Sequence, residues 1–283
     1  MITFSTVDHG IAFFPTDYSA PVADLAVAVE ERGFESLFFT EHTHIPTSRI
    51  SPHRSGGELP RQYLHTLDPF VAFGIVSAVT RTLRFGTGIC LMTERDPIVT
   101  AKAIATVDLV SGGRFLFGVG AGWNAEEMAD HGTDPNHRWA VTRERIAAMR
   151  SIWSAEEAEF HGRYVDFGPM WSWPKPTRKE GPPVLVAGAG PRALERVLDY
   201  GDGWFPIHGE HSGLVERVAE LRSRAADVGR ARPSVTVFAV PPKPKTLDEL
   251  AEAGVDRALF LAPSVPFAEL LPRLDQYAAL TTA

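Results

Sequence analysis

The sequence predicts an α/β chain folded as a closed (β/α)8 barrel of the TIM-barrel kind, and three observations predict it. Short apolar runs alternate with amphipathic helical stripes, the runs are apolar at nearly every position, and they number eight. Parallel strands need a crossover at each return, so alternation of strand and helix gives a parallel sheet. Near-continuous apolarity marks strands covered on both faces. Eight such units in 283 residues fit a closed barrel, with its active site on the loops after the strand C-termini. One domain over residues 1–283 is expected, and an open doubly wound sheet is the structural alternative.

The first strand is ITFSTV or GIAFF, and Val22, Leu25, Ala26 and Val29 then recur at helical spacing. SLFFT is the second strand, and residues 41–66 form a long polar connection after it. LRFGTGI and FLFGVG are the third and fourth strands, with a helical stripe of Val99, Ala103, Val107 and Val110 between them. Ile146, Met149 and Trp153 mark the next helix. Residues 155–182 then read as a hairpin, EFHGRYVDFGP, followed by the proline-rich WSWPKP; this is a second insertion, ahead of the fifth strand. Long loops in a barrel shape its pocket. VLVAG, GWFPI, SVTVFAV and RALFLA complete the strands, with helical stripes at Leu214, Val218, Leu221 and Ala225 and at Phe267, Leu270, Leu271 and Leu274. Gly33, Gly113, Gly201 and Gly254 each precede a strand where a left-handed helix cap is wanted.

A formal charge of −7 argues against a general nucleic-acid or anionic-membrane binder, which needs a basic face to displace counterions. The single cysteine, Cys90, excludes an internal disulfide and a cysteine-rich zinc site and suits a reducing compartment. MITFSTVDHG has no basic segment followed by an apolar one, and PFVAFGIVSAV is too short to span a bilayer, so a cytoplasmic location is expected.

The second strand runs into FFTEHTHIPTSR, where His42 and His44 form an H-x-H pair. Two imidazoles at a strand end can share a metal, as in a metal-dependent barrel hydrolase, but further ligands are needed from other strands. GVGAGWN, VLVAGAGPR and LFLAPS supply none; His208 and His211 could assist. Alternatively the histidines simply hydrogen-bond the loop.

Three strand ends are rich in glycine. In VAGAGPRALERV, Pro191 suits the first turn of a helix, so the amides of Gly188, Ala189 and Gly190 lie near its positive end. With Arg192 beside them they suit a phosphate, and a tight turn is the alternative. In GVGAGWN, glycines again let backbone approach a ligand. In FGTGICLMTERDP, Gly88 before Ile89 fits either a bulge or a ligand pressed against the strand.

Together LAVAVEERGFESLFFTEHTHIP, VTRTLRFGTGICLMTERDPIVTAKAIATVDLVSGGRFLFGVGAGWNAEE and PPVLVAGAGPRALERVLDYGDGWFPI resemble the luciferase-like oxidoreductases, in particular the branch that uses the deazaflavin coenzyme F420. The resemblance implies a (β/α)8 barrel and a non-proline cis peptide at Gly88–Ile89 backing the cofactor ring. It places His42 and Glu41 beside that ring as catalytic residues, and the cofactor phosphate at Gly188, Ala189, Gly190 and Arg192. Thr87, Gly120, Gly122 and Asn124 complete the expected cofactor wall.

The implied activity is hydride transfer between the deazaflavin and a small apolar or aromatic substrate, with His42 managing the proton. FMN, with monooxygenase chemistry, is the alternative. Sugar-phosphate dehydrogenases of the superfamily carry a catalytic glutamate where this sequence has Trp123, which argues against a sugar phosphate. Phe13, Phe14, His44, Trp123, Trp171, Trp173 and His208 are the expected substrate pocket. Arg49, Arg54 and Arg61 are candidates for the coenzyme's acidic tail. A homodimer is compatible with the resemblance.

Overall fold

Eight parallel strands close on themselves in the computed structural model, which describes residues 7–53, 56–210 and 213–281. In chain order the elements are β1 (Asp8–Phe13), α1 (Val22–Glu31), β2 (Ser36–Phe39), α2 (Pro69–Val79), β3 (Arg84–Thr87), β4 (Cys90–Leu91), α3 (Pro97–Val110), β5 (Phe115–Gly120), α4 (Ala125–Asp130) and α5 (Arg138–Ser154). There follow β6 (Ala158–His161), β7 (Asp166–Met170), β8 (Val184–Ala187), α6 (Ala193–Tyr200), β9 (Gly203–Phe205), α7 (Leu214–Asp227), β10 (Ser234–Val237), α8 (Pro244–Glu252), β11 (Arg257–Leu261) and α9 (Phe267–Thr281).

The hydrogen-bonded order β3-β2-β1-β11-β10-β9-β8-β5 closes through pairing of β5 with β3. β4 resumes the edge of β3 after a break and also pairs with β5. The antiparallel hairpin β6–β7 stands outside the barrel, as the sequence predicts. No helix of the described residues is long and apolar enough to cross a membrane.

Alternation along the strands sorts the side chains into two layers. Ala12, Phe38, Leu116, Leu185, Phe205 and Leu259 fill the barrel, capped by Ile89, Ala187 and Phe238. Ile11, Phe13, Leu37, Phe39, Phe85, Phe115 and Phe117 belong to the larger layer packed against the helices. Phe13 therefore corrects an expectation, because its place in the alternation turns it into the core and away from a substrate pocket. Glycine is obligatory where β3 meets β5: a Cβ on Gly118 would stand 2.0 Å from the Thr87 carbonyl oxygen.

The first strand is the GIAFF alternative; ITFSTV lies almost wholly outside the described residues. Gly33, Gly113 and Gly254 have the positive φ expected of caps. Gly201 does not, at φ −98°. It is small because a Cβ there would meet Val186 Cγ2 at 2.6 Å. On α3 the buried face is Thr100, Ala101, Ile104, Ala105, Val107 and Asp108, whereas Val99 and Val110 of the predicted stripe are exposed. The helix is apolar nearly all round, so spacing alone could not choose its inner face. Asp68 and Asp96, each just before a proline, cap α2 and α3 by accepting from backbone N–H groups.

Candidate active site

The end of β2 sends neighbouring side chains to opposite sides. Glu41 is buried, and its oxygens accept from Leu91 N at 2.7 Å and Arg95 Nε at 2.5 Å. Arg95 reaches on to Asp68 at 2.7 Å. Glu41 thus ties β2 to β4 and the start of α2. A catalytic Glu41 does not fit this geometry, because both carboxylate oxygens are committed.

His42 points the other way. Its Nδ1 lies 2.7 Å from Glu127 Oε2, and the side chains are 6% and 0% exposed. Glu127 Oε1 accepts from Thr43 N at 3.0 Å. Burial alone would raise the Glu127 carboxyl; hydrogen bonding and the charge of His42, with contributions from Glu94 and Thr43 N, outweigh it and hold the carboxyl below its ordinary range. An anionic Glu127 keeps a proton on Nδ1 and leaves Nε2 as the nitrogen available for proton transfer.

Aromatic rings enclose this imidazole. Tyr63 and Trp123 stand 5.2 and 5.9 Å from it, His53 is 5.1 Å from Tyr63 and 5.8 Å from Trp123, and Phe14 is 4.8 Å from Tyr63. Trp123 and Phe14 are expected pocket residues brought together here. Tyr63 and His53 come from the long connection after β2, which folds back over its own start.

The Gly88–Ile89 peptide is cis. Ile89 fills the space over Gly120, where a Cβ would lie 2.2 Å from Ile89 Cδ1. Thr87 spends its hydroxyl on the Gly118 carbonyl at 2.6 Å, and Asn124 caps α4 by accepting from Glu127 N at 3.2 Å. Both side chains are buried and serve the scaffold. Gly122 has φ +74° in the turn before α4.

Across the mouth, Gly188 has φ +115°, and no atom lies within 4 Å of a Cβ placed on Gly190. This open backbone cradle, with Ala189 between, leads through Pro191 and Arg192 into α6. Trp204 Nε1 donates to Gly188 O at 2.9 Å, and Arg217 reaches Gly190 O at 3.3 Å. Arg196 stacks 3.7 Å from the centre of the Trp139 ring, whose edge flanks Gly188. Glycine amides at a helix start, with Arg192, Arg196 and Arg217 nearby, fit an anionic phosphate.

The remaining expected residues make contacts of their own. His44 turns to α4, with Nε2 3.0 Å from Asp130 and Nδ1 2.9 Å from Thr43 Oγ1. Trp171 and Trp173 are 75% and 58% exposed after the hairpin, where Lys102 Nζ donates to the Trp173 carbonyl. They do not line the pocket, because the hairpin projects from the helical flank. His208 is half-buried just after β9, its amide donating to Phe238 O at 2.8 Å. Arg61 stacks on Tyr18 at 4.2 Å, and Arg49 is half-buried. Arg54 and His211 lie outside the described residues. Among the described residues no three His, Cys, Asp or Glu side chains converge as a metal site would need.

Glu127, Glu94, Tyr63 and His53 are the residues that sequence reasoning missed. Aromatic content in the long connection was a usable signal for Tyr63 and His53. Nothing local marks Glu127 as the partner of His42.

An uncharacterised protein of Mycobacterium tuberculosis is 40% identical over 260 residues, 90% of this chain and 92% of that one. The F420-dependent hydroxymycolic acid dehydrogenase of the same organism is 29% identical over 182 residues, 63% of this chain but 46% of its own length. A monooxygenase from Streptomyces bottropensis superposes with a TM-score of 0.79 at 20% identity, covering 96% of this chain and 98% of its own, a likeness of fold. The family model described as luciferase-like monooxygenase matches residues 7–281, and the chain belongs to that family.

Proposed function

We propose that the protein is a coenzyme F420-dependent oxidoreductase acting on a small apolar or aromatic substrate. The observation that carries this reading is the pairing of His42 with buried Glu127 on the same barrel mouth as the Gly188–Gly190 cradle. A proton-handling group and an anion cradle are what a nucleotide-like redox cofactor and its substrate require together. The F420 dependence of a relative at 29% identity supports the deazaflavin over FMN.

Gly188, Ala189, Gly190 and Arg192 would hold the cofactor phosphate, and the Gly88–Ile89 wall would back its ring. The deazaflavin, when bound, supplies or accepts a hydride in one two-electron step. The chain's own work is to position and to manage one proton. Glu127 fixes the tautomer of His42, and Nε2 exchanges a proton with the substrate atom whose charge changes. Tyr63, Trp123, His53 and Phe14 exclude water around that nitrogen. Trp123 gives this wall an aromatic face, which favours an apolar substrate over a sugar phosphate.

The competing assignment is an FMN-dependent monooxygenase. Oxygen consumption that requires reduced FMN, with no response to F420, would assign that chemistry instead; F420 turnover with no oxygen consumption supports the deazaflavin.

A further inference from the structure

We propose that Glu94 and Glu127 form a proton conduit joining His42 to solvent through a cleft bordered by the β4–α3 turn, α5 and the β6–β7 hairpin. This rests on the reading of His42 as the proton-handling group.

Glu94 follows β4 and is 7% exposed, yet neither of its oxygens receives a hydrogen bond. A buried carboxylate without donors is costly, and the geometry resolves the cost if Glu94 carries its own proton and donates it to Glu127. The surroundings favour that form: burial first, then the negative charges of Glu127 and Glu41, push the Glu94 carboxyl far above its ordinary range. Arg95 opposes them but is bound to Glu41 and Asp68. Glu127 is the opposite case, anionic and donor-rich, so the two carboxyls share one proton.

Glu94 also lines a cleft of about 530 Å³ with Arg95, Ile98, His131, Arg145 and Tyr164. Glu94 thus borders both Glu127 and the cleft, with its carboxyl oxygens covered. When Nε2 takes a proton from substrate, the Nδ1 proton passes to Glu127 while Glu94 releases its own to cleft water and is refilled from Glu127. One proton enters at Nε2 and one leaves in the cleft. Once the mouth has emptied, Nε2 gives its proton to water there while Nδ1 takes one back from the cleft by way of Glu94 and Glu127, which restores the Nδ1–H form.

The test is exchange of the His42 Nδ1 proton with solvent, followed by NMR in intact protein labelled with ¹⁵N-histidine. Glu94→Gln keeps the shape and a hydrogen-bond donor to Glu127 but cannot pass a proton. Exchange is expected to slow at least ten-fold in Glu94→Gln, to recover in Glu94→Asp, and to slow likewise in Ile98→Trp, which plugs the cleft and leaves Glu94 intact. Unchanged exchange in natively folded Glu94→Gln and Ile98→Trp would overturn the conduit. F420 titration of the same samples separates the two claims: wild-type protein that ignores F420 removes the cofactor assignment, whereas unchanged exchange removes only the conduit.

Discussion

His42 Nδ1 and Glu127 Oε2 lie 2.7 Å apart across 85 residues of sequence, and the Glu127 side chain has no exposed surface. If this pair sets the tautomer, Glu127→Gln loses the anion while keeping the volume. Its kcat should fall about 100-fold, within the usual range for general acid–base effects, with a smaller change in KM. Steady-state kinetics over a pH range check this, and an unchanged kcat contradicts it.

The two histidines of the H-x-H pair should separate on substitution. His42→Ala removes the proton-handling nitrogen and should cost roughly 100-fold or more in turnover. His44 bonds Asp130 and Thr43 on the α4 side, so His44→Ala should leave turnover near the wild-type value. Equal losses would count against the assignment.

The junction of β3 and β5 tolerates no side chain. Gly118→Ala would place a methyl 2.0 Å from the Thr87 carbonyl and should destabilise by about 1–3 kcal/mol, read as a lower Tm. Gly74→Ala, in α2 with no atom within 4 Å of the new Cβ, should instead hold or raise stability, by up to about 1 kcal/mol.

Glu94 should make stability fall with rising pH. Its folded-state carboxyl is raised, so the unfolded chain loses this proton first and gains on the folded state from the ordinary glutamate range upward. Any stabilisation is complete only below that range and is lost as pH climbs toward the raised value. Glu94→Gln removes the effect, so its Tm advantage over wild type should be larger at pH 8 than at pH 4. Glu127 has the reverse sign: its lowered carboxyl stabilises above the ordinary glutamate range and loses that contribution as pH falls.

Val71, Ile75 and Val79 on α2 and Val99, Leu109 and Val110 on α3 are exposed. An apolar stretch of this kind favours burial against a second copy. Light scattering should give a dimer, and Val71→Glu with Val99→Glu should shift it to monomer; a wild-type monomer at assay concentration contradicts this.

The barrel was legible because its signals are local. Short continuous apolar runs such as FLFGVG read as strands covered on both faces, and glycines such as Gly33 and Gly254 stop helices where the next strand begins. The inner face of α3 was not legible, since Val99 and Ile104 offer equal apolarity on different sides. Of the site, His42 and Trp123 could be placed at strand ends. Glu127 and Glu94 could not, because their meaning comes from a partner on another element or from the lack of a hydrogen-bond donor in a buried place. Trp171 and Trp173 were read as pocket residues from aromatic content alone, and the hairpin carries them outward.

Titration of the purified protein with oxidised F420 and, in parallel, with FMN tests the central claim most directly. The account predicts saturable quenching of F420 fluorescence, weakened when Gly190→Glu closes the cradle, and no tight FMN binding. Tight FMN binding with no response to F420 would contradict it.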